Sequence, residues 1–142
     1  MKPEFKNLFK FQSNKKSKQA IIDLGSNSVR MLIYDNFKIS PIPMFNEKAV
    51  CKLGKNLDKS KKLNPDGIKS SLKVLNRFKE ILDISDVLDV EIIATAAFRE
   101  AADASGFLSE IEKIFNKKPL VLSGEEEART SANGVMIGFD EV

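Results

Sequence analysis

Ala20-Ile21-Ile22-Asp23-Leu24-Gly25-Ser26-Asn27-Ser28-Val29-Arg30-Met31-Leu32-Ile33-Tyr34 is the stretch on which the fold turns. Two short apolar runs flank a turn of Gly, Ser and Asn. Runs of this kind, bounded by turn-forming residues, read as the two strands of a β-hairpin. Asp23 stands at the end of the first run, directly before the turn. A tight turn of small residues bares several backbone N–H groups, and concave sets of such donors bind phosphate oxygens. Ser26, Asn27 and Ser28 add side-chain donors, and Asp23 is placed to reach a metal ion or a metal-bound water. On composition alone a plain polar turn is the better reading, and only the rest of the chain reverses it.

Outward from the hairpin, Asn36 makes the next turn and a third extended stretch runs from about Ile39 to Leu53, with Pro41 and Pro43 marking its start as edge or irregular. Gly54 to Leu63 reads as a polar, Lys-rich loop. Asn64-Pro65-Asp66 is a helix start, Asn at the cap and Pro at the first helical position. Ile68, Leu72, Leu75, Phe78 and Leu82 then recur at helical steps and form one apolar face. Val90 to Ala97 alternates like a strand; a helix follows with Phe107, Ile111, Ile114 and Phe115 on its apolar side. Pro119 to Leu122 reads as a short buried strand, Ser123-Gly124 as a turn, and Glu125 to about Met136 as a third helix opening on three acids. The order βββ-α-β-α-β-α predicts a mixed sheet with helices packed on it, an α/β fold.

The 142 residues make one domain's worth of chain, 42% hydrophobic and 30% charged. No apolar run approaches the ~20 residues of a membrane-spanning helix. Histidine is absent, which excludes Ser-His-Asp and Cys-His nucleophile systems and His-bearing zinc sites. The lone Cys51 cannot form an internal disulfide, so a cytoplasmic setting is expected. Any metal must be a hard cation held by oxygen. The net charge of +3 comes from the first 18 residues, where six Lys meet one Glu. The basic character is a tail rather than a folded face, which argues against nucleic acid as a partner.

Two further segments carry chemistry. Ala94-Thr95-Ala96-Ala97-Phe98-Arg99 leads from a strand into one Arg, and in open α/β sheets ligands bind beyond the carboxyl ends of strands. Arg is a suitable fork for phosphate oxygens; a surface ion pair with Glu100 or Asp103 is its plain alternative. Ser123-Gly124-Glu125-Glu126-Glu127-Ala128-Arg129 also follows a strand. Three consecutive acids point three ways around a helix. One of them can serve as general base toward an attacking water, and favourable interaction with the helix dipole accounts for at least one other.

In this order the three segments resemble the N-terminal domain of the exopolyphosphatase / guanosine pentaphosphate phosphohydrolase (Ppx/GppA) family over about residues 19–138. The D-L-G-S-N-S turn is Asp23 to Ser28, the A-T-x-x-x-R segment Ala94 to Arg99, and the S-G-x-E-E-A-R segment Ser123 to Arg129, with a G-V step at Gly134-Val135. The resemblance implies an actin-like ATPase (ribonuclease H-like) fold and release of phosphate from polyphosphate or guanosine pentaphosphate. It implies Glu127 as catalytic base, Arg99 with Gly25, Ser26, Asn27 and Ser28 as phosphate ligands, and Asp23 as the leading carboxylate toward Mg2+. D-x-G-S/T alone is shared with other actin-like ATPases and sugar kinases. Two departures stand out. Asp103 occupies a position where the family usually has Asn, and the chain reaches Val142 without the family's second, Asp-Gly-rich phosphate loop. The expectation is therefore a basic tail at 1–18 and an incomplete, truncated domain at 19–142, which pairs with a missing C-terminal half or forms a homodimer. An inactive remnant that binds only phosphate or a partner chain is the alternative.

Overall fold

A computed structural model describes residues 18–35 and 43–130 of the chain. The strands are β1 (Gln19–Leu24), β2 (Ser28–Tyr34), β3 (Phe45–Val50), β4 (Asp89–Ala94) and β5 (Leu120–Val121). The helices are α1 (Leu57–Ser60), α2 (Pro65–Ile84), α3 (Ala96–Glu100), α4 (Ala104–Phe115) and α5, described over residues 124–130. The five strands form one mixed sheet in the order β3-β2-β1-β4-β5. β1, β2 and β3 are an antiparallel meander, while β1, β4 and β5 run parallel.

Register follows from the two-residue turn. With Ser26 and Asn27 at its tip, Leu24 faces Val29, Asp23 faces Arg30 and Ile22 faces Met31. The period of two then sorts the side chains. Ala20, Ile22, Leu24, Val29, Met31, Ile33, Ile92 and Ala94 are buried on one face. Against it pack Leu75, Phe78 and Leu82 of α2 and Phe107, Ile111 and Phe115 of α4, all in one core. Burying each of these large side chains contributes roughly 1.5–3 kcal/mol. Phe98 of α3 stacks on Phe107 with ring centroids 5.9 Å apart, which ties the short helix to the same core. Ile21, Asp23, Arg30, Leu32 and Ile93 point to the opposite face. At the outer edge of the sheet, Glu47 of β3 forms an ion pair with Arg77 of α2.

The expected order of elements holds, with five local differences. β3 begins at Phe45 and ends at Val50, because Lys52 turns into the left-handed region (φ 57°) and takes the chain out of the ladder. The stretch before Pro43 lies outside the described residues, as do the tail to Ser17, Asn36 and everything after Thr130. The loop after Gly54 contains α1, bounded on both sides by left-handed residues, Asn56 and Lys61. β4 stops at Ala94, and Thr95 starts α3 by accepting the Phe98 N–H at 3.0 Å. β5 is only two residues long, and its Leu120 is 40% exposed rather than buried. Asn64 does precede α2, but its amide donates to the Lys52 carbonyl at 3.0 Å instead of capping the helix.

Candidate active site

Parallel strands end on the same side of a sheet. β1, β4 and β5 therefore deliver the hairpin turn, Thr95 with α3, and the start of α5 to one rim. Thr95 is fixed there by its N–H and hydroxyl, which both donate to the Leu24 carbonyl at 3.2 and 3.3 Å.

A cleft of about 270 Å³ opens on the sheet face away from the core. Ile21, Leu32, Ile93 and Leu122 give it apolar walls, and Asp23, Arg30, Thr95, Glu127 and Thr130 bring polar groups into it. Asp23 lies at the exposed mouth. Loss of surrounding water, followed by repulsion from Glu127, raises its carboxyl above the ordinary value; Arg30, directly across the ladder, and Lys48 pull in the other direction. Asp23 and Glu127 both line this cleft.

Arg99 joins this group from the last turn of α3. Its Nη1 donates to the Leu122 carbonyl at 2.8 Å and to Glu127 Oε2 at 2.9 Å. The partner of Arg99 is therefore neither Glu100 nor Asp103. Both members of the pair are partly exposed, where such a bridge contributes at most about 1 kcal/mol. Its main effect is to orient the Glu127 carboxylate.

The three consecutive acids separate into three roles. Ser123 Oγ accepts the Glu126 N–H at 3.1 Å while Glu126 Oε2 accepts the Ser123 N–H at 2.8 Å, a reciprocal capping box that starts α5. Glu125 pairs with Arg129 one turn on, at 2.6 Å. Glu127 alone turns into the cleft.

At the hairpin tip, Gly25 donates its N–H to the Ser28 carbonyl at 2.9 Å, so that donor is already engaged. A Cβ at Gly25 would lie 3.0 Å from the same carbonyl, which explains the glycine by close approach. The carbonyls of Ser26 and Asn27 hold the loop after β3: Gly54 N–H donates to Ser26 at 2.8 Å, and Cys51 and Lys52 N–H both donate to Asn27, at 3.0 and 2.9 Å. The Ser26 hydroxyl, Asn27 amide and Ser28 hydroxyl have no partner among the described residues. Asp103 serves structure: its Oδ1 accepts the Leu63 N–H at 2.9 Å. An asparagine carbonyl would do the same, which makes this departure from the family pattern mild. Arg30, Thr95 and Thr130 were not singled out from the sequence, although the two-residue turn alone places Arg30 opposite Asp23. Among the described residues no group of three or more Asp, Glu, His or Cys side chains gathers to hold a metal, and no helix is long and apolar enough to cross a membrane.

Comparison with known proteins bears directly on this arrangement. The model of the Ppx/GppA phosphatase family matches residues 32–142, well over half the chain. The chain belongs to the Ppx/GppA phosphatase family. The guanosine-5'-triphosphate,3'-diphosphate pyrophosphatase of Pseudoalteromonas translucida is 36% identical over 120 residues, covering 84% of this chain and 24% of that protein. The crystal structure of the Aquifex aeolicus Ppx/GppA family member matches with a TM-score of 0.73 at 28% identity, covering 80% of this chain and 37% of that one. An exopolyphosphatase from Cytophaga hutchinsonii matches with the same TM-score and identity, over 80% of this chain and 36% of that structure. The fold is thus the actin-like ATPase arrangement of Ppx/GppA proteins. This Ppx/GppA chain spans about a quarter or less of the length of its curated relatives, between 19% and 24%.

Proposed function

We propose that the chain is the N-terminal, base-bearing part of a phosphoanhydride hydrolase that acts on inorganic polyphosphate or guanosine pentaphosphate. The observation that carries this reading is the meeting of Glu127, Arg99 and Asp23 at one rim, beside a turn whose three side-chain donors have no partner among the described residues. Phosphoryl transfer asks of a protein chiefly positioning and charge: oxygen donors, a cation and an oriented nucleophile. Ser26, Asn27 and Ser28 would donate to phosphate oxygens. Arg99 would supply positive charge, and an arriving phosphate would compete with Glu127 for its guanidinium. Glu127, released from that pair, would accept a proton from the attacking water. The apolar walls of Ile21, Leu32 and Ile93 would limit access of other water.

The donor set of the cleft is all oxygen, with Asp23 and Glu127 carboxylates and Thr95 and Thr130 hydroxyls. That chemistry fits Mg2+, which binds through one or two carboxylates and keeps phosphate and water as its other ligands. Asp23 would hold it. The ion would neutralise charge developing on the phosphate oxygens.

A second reading, binding of phosphate without turnover, is favoured by the lack of a three-carboxylate cluster among the described residues. Two measurements on the chain separate the readings: binding of inorganic tripolyphosphate, and Mg2+-dependent phosphate release from it. Release that Glu127→Gln abolishes while binding persists is the expected result for hydrolysis. Binding without release by the parent chain supports the second reading, and no binding refutes both.

A further inference from the structure

We propose that a second recess, on the far side of the hairpin turn and lined by Ser26, Asn27, Lys52, Gly54 and Lys55, holds further units of a linear phosphoanhydride chain. These are the units beyond the one cleaved at Glu127. This recess has a volume of about 440 Å³. The inference rests on the hydrolase reading and extends it to the kind of substrate. An orthophosphate would engage the cleft alone, whereas a longer chain would also reach across the turn to the lysines.

The wall of this recess is built rather than incidental. Lys52 sits in the left-handed region at φ 57°, a conformation that costs a non-glycine residue roughly 1–3 kcal/mol and persists only where its surroundings impose it. The Asn27 carbonyl imposes it by accepting the N–H groups of both Cys51 and Lys52. The Lys52 carbonyl in turn accepts the Lys55 N–H at 3.2 Å and the Asn64 amide at 3.0 Å. Gly54 allows the loop to close: a Cβ there would lie 3.1 Å from Ser26 Cβ. The loop thus holds both lysines beside the Ser26 and Asn27 side chains.

Their charges are unspent. Among the described residues neither Lys52 nor Lys55 forms an ion pair, in contrast to Lys79 with Asp83 and Lys117 with Glu91. Two ammonium groups and the unused Ser26 and Asn27 donors therefore surround a space that no carboxylate among the described residues neutralises. Lysine suits a flexible polyanion, because its compact charge does not demand the planar, two-pronged fit that arginine favours. The lysines would anchor the distal units on one flank of the turn, while Arg30 and Arg99 supply positive charge beside Glu127 on the other.

The test is calorimetric binding of orthophosphate, inorganic tripolyphosphate and guanosine triphosphate to the full 142-residue chain. Four variants are compared with the parent: Lys52→Ala/Lys55→Ala, Lys55→Ala alone, Lys52→Arg/Lys55→Arg, and a surface control, Lys59→Ala/Lys62→Ala. Tripolyphosphate affinity should fall about tenfold or more in the double alanine variant, since bonds to charged groups are worth about 1.5–3 kcal/mol. It should fall in part for Lys55→Ala, recover with arginine, stay unchanged in the control, and drop far less for orthophosphate. An equal loss for guanosine triphosphate assigns the recess to any triphosphate, and a loss confined to the inorganic chain assigns it to polyphosphate. Parent-like tripolyphosphate binding by the double alanine variant, or an equal loss in the control, would overturn the proposal. If Glu127→Gln abolishes hydrolysis while the lysine variants bind normally, the hydrolase reading stands and this one falls. If the lysine variants lose binding while Glu127→Gln still hydrolyses, the recess stands as a binding site and the assignment of Glu127 as base falls.

Discussion

Two glycines in helices should respond in opposite directions to the same added methyl group. Gly67 lies buried in the first turn of α2, where a Cβ would meet the Cys51 carbonyl oxygen at 2.9 Å, Leu53 Cα at 3.0 Å and the Lys52 carbonyl oxygen at 3.0 Å. All three are backbone atoms of the loop that is bonded to the hairpin turn, so none can rotate away. Alanine in a helix ordinarily gains about 0.5–1 kcal/mol over glycine. Overpacking of a rigid site costs about 1–3 kcal/mol. The difference for Gly67→Ala is a net loss centred on about 1 kcal/mol and reaching about 2.5 kcal/mol, or a fall in Tm of several degrees for a domain of this size. Gly106 of α4 has nothing within 4 Å of its own added Cβ, so Gly106→Ala should keep the propensity gain and melt higher. Urea and thermal unfolding followed by circular dichroism measure both. A Gly67→Ala protein as stable as the parent would refute the claim that α2 is seated directly on the 51–54 loop.

Two further outcomes are expected. The raised carboxyl of Asp23 means that the native state holds this proton more tightly than the unfolded chain does, so ionised Asp23 destabilises the fold at neutral pH and the penalty fades as the pH falls through the raised value toward the ordinary 3.8. Asp23→Asn should therefore unfold at higher urea than the parent at pH 7 and lose that advantage below the ordinary carboxylate range; an advantage undiminished in acid would rule out this origin. Asp103→Ala leaves the Leu63 N–H without its acceptor and should cost about 1–3 kcal/mol, whereas Asp103→Asn should be nearly neutral; equal losses in the two, by urea midpoint, would show that charge and not the bond matters.

What the sequence disclosed and what it withheld follow from the range of the forces involved. The hairpin, α2 and α4 were legible because period and turn chemistry act over a few residues: Asp23 to Ser28 made the turn, and Leu75, Phe78 and Leu82 declared a buried helix face. The ends were not. Ala96 and Ala97 continue the alternation of β4, yet they belong to α3, because Phe98 gains more by stacking on Phe107 than an extended chain would allow. Lys52 gave no local sign of leaving β3; the cause is the Asn27 carbonyl, far away in sequence. At the site, the sequence could say that three glutamates point three ways. It could not say that Ser123 claims Glu126, that Arg129 claims Glu125, and that Arg99 reaches Glu127. The pairing of Arg99 depends on two strands that lie side by side only in the folded sheet.

The edges of the sheet also govern how this chain can meet another. A strand at an edge is a template for strand addition unless something spoils it. β5 spans two residues and passes at once into a capped helix, so it offers almost no ladder. β3 is longer, but Glu47 turns inward to Arg77 and puts a charge where an added strand would need to settle. Among the described residues, neither border favours aggregation by continuous β-pairing.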